Sequence, residues 1–281
     1  MTYSSERVKI IFVEKRMHLE GVAQMKKATL LKQLEIMTGK PREELIPSLT
    51  AIHIHLNGVS GNGGQIGQAN IPYEYSDFFL FNSPARQVNE AIYKQLETYV
   101  STMPRAYKKD LSREDKYMKN LYLWSEEKGN GKTSTAAALL NEFMMVGYKA
   151  SLAYGEAMVK PPSYFFDVNE FQTLYNTFNR AGIAPERAIK ASEAYYNMME
   201  FAKRAPYTVF DDIGVRSATE AFRADLHSII NHRTANQLAS IYTSNVPISQ
   251  LDSLFDERLA DRVRQHCLQI KFEGSSQRGV H

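Results

Sequence analysis

The sequence predicts an α/β domain, a parallel sheet covered by helices on both faces, behind a smaller and mainly helical amino-terminal domain. Three observations carry this. From about residue 84 onward, short apolar runs alternate with segments of helical period, the pattern of parallel strands joined by crossover helices. One of those runs passes through Gly129-Asn130-Gly131-Lys132-Thr133 straight into a helix former's sequence. Before residue 58, Val22, Met25, Leu30, Leu34 and Met37 recur at helical spacing, and Gly39 and Pro41 stop that helix.

The next stretch, "TAIHIHLNGV", alternates apolar and polar residues and predicts a short strand with His53 and His55 on one side. Two imidazoles with no third ligand nearby point to a surface strand, not a metal site. Gly58, Gly61, Gly63, Gly64 and Gly67 follow. They miss the Gly-x-Gly-x-x-Gly spacing and no helix former comes directly after them, so a flexible linker and a domain boundary are expected here. The expected domains are residues 1–70 and 84–281. The second opens with a helix ("ARQVNEAIYKQLETYVSTM"), a basic loop ("RAYKKDLSREDKYMKN"), a strand ("NLYLWS"), a loop and a helix ("KTSTAAALLNEFMMVG"). A strand ("YFFDV"), two helices ("NEFQTLYNTFNRA", "ERAIKASEAYYNMMEFAKRA"), a strand ("YTVFDDIG"), a helix ("EAFRADLHSIINHRTAN") and strands "LASIYTSN" and "LQIKF" complete it.

Composition excludes several classes. A chain of 281 residues with 43% hydrophobic content is neither disordered nor fibrous. No apolar run reaches the roughly 18 residues of a membrane span, and the amino terminus has no secretory apolar centre, so a cytoplasmic, membrane-free protein is expected. Cys267 is the single cysteine, which rules out an internal disulfide framework or a cysteine-cluster zinc site and suits a buried thiol. The net charge of +3 is too small to imply nucleic acid by itself. Residues 1–44 carry nine basic and six acidic side chains, so the difference, nine minus six, equals that whole excess.

The phosphate-loop pattern is Gly-x-x-x-x-Gly-Lys-[Ser/Thr], and here Glu126 stands where the opening glycine belongs. The other anchors remain. Gly129 and Gly131 let backbone amides turn inward, Lys132 supplies a cation to the β- and γ-phosphates, and Thr133 offers a hydroxyl to Mg²⁺ at the start of a helix whose terminus favours anions. Gly129, Asn130, Gly131, Lys132, Thr133 and Ser134 are the candidate ATP-binding set, with Glu126 and Glu127 expected to point away from the triphosphate. In "YTVFDDIG", an apolar strand ends in Asp211 and Asp212, two carboxylates that a buried strand carries only if a cation or a water needs them. Asp211 is the candidate Mg²⁺ ligand with Thr133, and Asp212 the candidate that polarises water. "SIYTSN" ends in Thr243, Ser244 and Asn245, suited to a place beside the γ-phosphate at the carboxyl edge of the sheet. "FDERLADRVRQ" puts Arg258 and Arg262 on one helical face with Glu257 and Asp261 available to them, a pattern that also fits a surface salt-bridge ladder.

The order "GNGKTS", "VFDDIGV", "SIINHRTANQLASIYTSN", "DERLADRV" and "FEGSSQR" resembles the DnaC-type helicase loaders, relatives of the replication initiator and of the transposition ATPase IstB, over roughly residues 84 to 281. The resemblance implies an AAA+ ATPase core with ATP and Mg²⁺ as cofactors. It assigns Asn245 as the sensor of the γ-phosphate, Arg262 as the finger reaching a neighbouring subunit's ATP with Arg258 beside it, and Arg278 as a second sensor. Asp212 stands where many relatives have Glu, which implies slow hydrolysis. Only 36 residues (281 minus 245) follow Asn245, so no separate helical lid is expected. The resemblance further implies a replicative helicase partner bound through residues 1 to about 70, single-stranded DNA, and a homo-oligomeric ring or spiral, in a phage or mobile-element setting. A transposition helper ATPase and a scaffold or inhibitor of replication with little hydrolysis are the alternatives.

Overall fold

The computed structural model describes residues 21, 23–59, 61, 63–108, 110–155, 162–214, 218–253 and 257–274. Arg278 lies outside them. Backbone contacts divide the chain into Met1–Gln68 and Ala69–His281.

The described part of the first unit is helical: α1 (23–38), α2 (Arg42–Asn57) and the single turn α3 (Gly64–Gln68). The strand expected at "TAIHIHLNGV" is instead the second half of α2. Burial decides the period. Ile52, His53, Leu56 and Asn57 are buried while Ile54 is 45% exposed, whereas a strand would put 52, 54 and 56 on one face. Six alternating residues also contain the i, i+4 pair Ile52 and Leu56, which is enough for a helix to bury. His53 and His55 therefore lie about 200° apart around the helix, not side by side. The glycine run expected as a linker contains a close backbone crossing. At Gly64, with φ +63°, a Cβ would lie 2.6 Å from Gly58 N and Leu56 O, so backbone crosses backbone there and only glycine fits. Gly63 N–H donates to Asn57 O at 2.7 Å and Lys26 Nζ to Gly61 O at 2.8 Å, closing the turn.

The second unit is a five-stranded parallel sheet in the order β2-β3-β4-β1-β5. The strands are β1 (Asn120–Trp124), β2 (Ser163–Asp167), β3 (Tyr207–Asp211), β4 (Ala239–Ser244) and β5 (Cys267–Lys271). They are joined by α6 (Lys132–Tyr154), α7 (Val168–Phe178), α8 (Pro185–Arg204), α9 (Glu220–Ala235) and α10 (Glu257–His266), after the shorter α4 (Glu90–Val100) and α5 (Arg113–Lys116). Side chains alternate across the sheet. Tyr122, Tyr164, Phe166, Phe210 and Tyr242 pack with Phe171, Tyr195, Phe222, Leu226 and Val263 from α7 to α10. Their neighbours Leu121, Phe165, Val209 and Ile241 are equally buried and face the other way, the side on which Phe143 of α6 meets Tyr207 at 4.8 Å.

Residues 71–83, unassigned by sequence, belong to this unit, as do residues 69 and 70, expected in the first domain. Phe165 N–H donates to Ala69 O (2.7 Å) and Asn70 Nδ2 to Phe165 O (3.1 Å), capping part of the free edge of β2. Asn141 Nδ2 then holds the carbonyls of Tyr75 (3.0 Å) and Phe78 (2.8 Å), and Leu80 N–H donates to Glu142 Oε1 (3.2 Å). Burial pushes the Glu142 carboxyl up to about 7, with Leu80 N–H opposing the shift and Glu97 adding to it. An acid whose folded pKa is raised gives most stability while protonated, and that contribution fades as pH climbs from its unfolded value through about 7. Glu142→Gln should therefore remove a loss of up to about 3 kcal/mol between pH 5 and 8. Urea denaturation across that range checks it: wild type minus variant should slope with pH, and parallel curves would rule the effect out.

Candidate nucleotide site

All four strand ends that matter meet at one edge. Parallel pairing aligns Trp124 with Ser244 and Asp167 with Asp211, and Phe210 with Tyr242. The loop leaving β1 turns through Gly129 (φ 77°) and Gly131 (φ 96°) and enters α6 at Lys132. Gly131 could be nothing else, since a Cβ there would lie 2.2 Å from the Cβ of Ala85, in the 3-10 turn Pro84–Arg86. That turn is pinned to α6 by Tyr93, whose hydroxyl bonds Ser83 Oγ (2.5 Å) and Thr135 Oγ1 (2.6 Å). Lys132 is buried, with Nζ donating to Glu127 O (2.9 Å), Asn130 Oδ1 (3.1 Å) and Ser125 O (3.5 Å). Its ammonium is thus held within the loop. Ser134 Oγ donates to Gly131 O (3.0 Å), while Glu126 and Glu127 are exposed.

Asp211 accepts from Thr243 Oγ1 at 2.6 Å, and the Thr133 hydroxyl lies near enough to favour its charged form. Burial is the main force pushing its carboxyl up to about 6; the two hydroxyls oppose this, and Asp167 and Asp212 reinforce it. A group that gathers negative charge in a buried corner, with a threonine hydroxyl from the loop close by, suits a divalent cation. Asp212 has φ 54°, a left-handed conformation uncommon outside glycine. Asn245 Nδ2 donates to its Oδ1 and Asn169 Nδ2 to its Oδ2, each at 3.2 Å.

The comparisons can be set beside this geometry. No protein-family model and no curated protein matches the sequence. Among solved structures, that of DnaI is 20% identical with a TM-score of 0.52, over 76% of this chain and 99% of that one. The fold, a five-stranded parallel sheet between helices, is shared with the DnaI structure. The structure of the DnaC helicase loader is 17% identical (TM-score 0.48, 72% of this chain, 100% of that one). AMPPCP-bound DnaA from Aquifex aeolicus is 17% identical (TM-score 0.47, 70% of this chain, 50% of that one).

Within this α/β core, Gly129, Asn130, Gly131, Lys132, Thr133, Ser134, Asp211, Asp212 and Asn245 come together. Arg258 and Arg262 do not join them. Both are exposed on α10, and among the described residues the ion pairs there belong to Arg264, which bonds Asp252 (2.9 Å) and Asp261 (3.3 Å). Asp261 is therefore engaged by Arg264, unlike the ladder the sequence allowed. Thr243 and Ser244 also differ from expectation. Their hydroxyls bond Asp211 and the Val246 N–H (3.2 Å), so of the Thr-Ser-Asn run Asn245 alone keeps a polar head on the second carboxylate. Sequence reading missed Asp167 and Asn169. Asp167 Oδ1 caps α7 by accepting from Asn169 N (2.8 Å) and Glu170 N (3.1 Å), which orients Asn169 toward Asp212. The available signal was the carboxylate closing "YFFD", the same strand-end pattern as in "VFDD".

Proposed function

We propose that the chain is an ATP-dependent helicase loader, which binds a replicative helicase through its helical first unit and delivers it to single-stranded DNA. The observation that carries this is the phosphate loop entering α6 at Lys132 beside the Asp211 carboxylate that Thr243 holds, in a fold that spans 99% of the DnaI chain. Backbone amides of Gly129 to Gly131, with Lys132, would hold the phosphates of ATP, and Thr133 and Asp211 would hold Mg²⁺. That ion neutralises charge on the β- and γ-phosphates when bound. Asp212 would orient a water and take its proton on a carboxylate oxygen, Asn245 would contact the γ-phosphate, and Arg262 with Arg258 would reach a neighbouring copy's site in a ring or spiral. Arg278 would serve as a second sensor. The amides already on both oxygens of Asp212 favour slow turnover, which keeps a weakly hydrolysing scaffold as the second reading. No helix among the described residues is long and apolar enough to cross a membrane.

Pull-down of the full chain with its cognate replicative helicase, with and without ATP, tests the loader reading; capture of a transposase instead would transfer it to a transposition helper. Lys132→Ala should weaken binding of a fluorescent ATP analogue by at least about 10-fold while the melting temperature holds, because it removes the cation whose Nζ is held inside the loop. Unchanged affinity would overturn the nucleotide assignment.

A further inference from the structure

The hydroxyl of Thr243 stands between the Asp211 carboxylate and the Asp212 backbone amide. Thr243 is 2% exposed, inside β4 and opposite Leu123 of β1, so solvent does not compete for its bonds. Its Oγ1 accepts the Asp212 N–H at 2.8 Å and donates to Asp211 Oδ1 at 2.6 Å. The direction of each bond is forced. An amide only donates, so the hydroxyl's lone pair serves Asp212 and its single proton is free for Asp211, whose carboxylate only accepts. Thr243 O also accepts the Ile213 N–H at 2.9 Å. One residue thus bonds three consecutive residues of the β3 end.

These bonds have different consequences. The proton on Oδ1 fixes the rotation of the Asp211 carboxylate, and with it the direction the remaining lone pairs present to an ion. The bond from Asp212 N–H holds the left-handed backbone turn at Asp212, φ 54°, which brings its carboxylate within reach of Asn169 and Asn245. Release of that amide would let the turn relax and the carboxylate swing.

We propose that Thr243 is a positioning residue that sets the geometry of Asp211 toward the metal and of Asp212 toward water through a single hydroxyl. This rests on the nucleotide reading above. It assigns Thr243 a role distinct from that of Asn245, which touches Asp212 alone, and separate from contact with the nucleotide.

The test uses the full chain with Thr243→Val, which keeps the side chain's shape and removes the hydroxyl, and Thr243→Ser, which keeps the hydroxyl. Binding of a fluorescent ATP analogue without Mg²⁺ should stay within about 3-fold of wild type in both. Thr243→Val should need at least about 10-fold more Mg²⁺ for the Mg²⁺-dependent part of binding, and its kcat should fall about 100-fold with KM little changed, the scale of a catalytic group displaced by about an ångström. Thr243→Ser should restore both. Wild-type Mg²⁺ dependence in Thr243→Val overturns the proposal. So does a Ser variant as impaired as the Val variant, because the methyl's packing would then be what matters. A Val variant that does not fold leaves the decision with Ser, whose Mg²⁺ dependence must match wild type. Failure of the nucleotide reading is seen separately, as wild type that does not bind the analogue at all.

Discussion

Arg262→Ala is expected to leave ATP affinity near wild type and cut hydrolysis by about 10³-fold or more, the loss typical of an arginine finger. Arg262 is exposed on α10, and the local ion pairs are made by Arg264 with Asp252 and Asp261. A guanidinium not spent on its own helix can stabilise charge developing on a neighbour's γ-phosphate. Hydrolysis would then require assembly, and single-stranded DNA touching several copies at once should promote it, with the salt dependence of phosphate contacts. Mixing Arg262→Ala with Lys132→Ala provides the check. A copy with an intact phosphate loop can receive the finger of a copy whose loop is broken, so part of the activity should return. A mixture as inactive as its parts, despite proven co-assembly, would mean that Arg262 acts only within its own chain or not at all.

Arg233→Ala should be the most damaging single change to stability, costing about 3–5 kcal/mol. Arg233 is fully buried in α9, and no carboxylate bonds it among the described residues. Its guanidinium serves carbonyls instead: Nη1 donates to Ala202 O (2.6 Å) and Ala205 O (2.7 Å), Nη2 to Ala239 O, and Nε to Ser240 Oγ (2.9 Å). Burial lowers its pKa to about 9, leaving it cationic at neutral pH. The fork ties the end of α8 to the start of β4. Alanine would abandon three buried carbonyls and a hydroxyl at once, and lysine, lacking the planar fork, should rescue little. Urea unfolding of all three proteins measures this; a loss under about 1 kcal/mol for alanine would mean that the cluster rearranges at small cost.

The strands of the second unit were readable because parallel strands buried on both faces are unbroken apolar runs, and because Gly129 to Thr133 mark a strand-to-helix turn. "TAIHIHLNGV" misled because alternation over six residues is shared by a strand and by an i, i+4 helical pair, and only tertiary burial of Ile52 and Leu56 separates them. At Gly64 the sequence shows a glycine but not the close crossing with Gly58 that requires it. The candidate site was legible where chemistry needs a residue type, as at Lys132 and Asp211. It was illegible where a role depends on which neighbour a hydroxyl faces. Thr243, polar at the strand end like Asn245, faces the Asp211 carboxylate and the Asp212 amide. Asn169 carried no signal until the cap at Asp167 aimed it.

The strand order has a kinetic corollary. β1, the strand that launches the phosphate loop, pairs with β4 and β5, so Leu121 meets Ile241 and Asn120 meets Cys267, partners 120 (241 minus 121) and 147 (267 minus 120) residues downstream. Such closures are entropically late events, and chains dominated by them fold slowly. During synthesis the loop at 129–133 leaves the ribosome long before the strands that brace its base exist. Competence to grip a triphosphate would thus arrive only with the last strand, and a prematurely terminated chain would lack it.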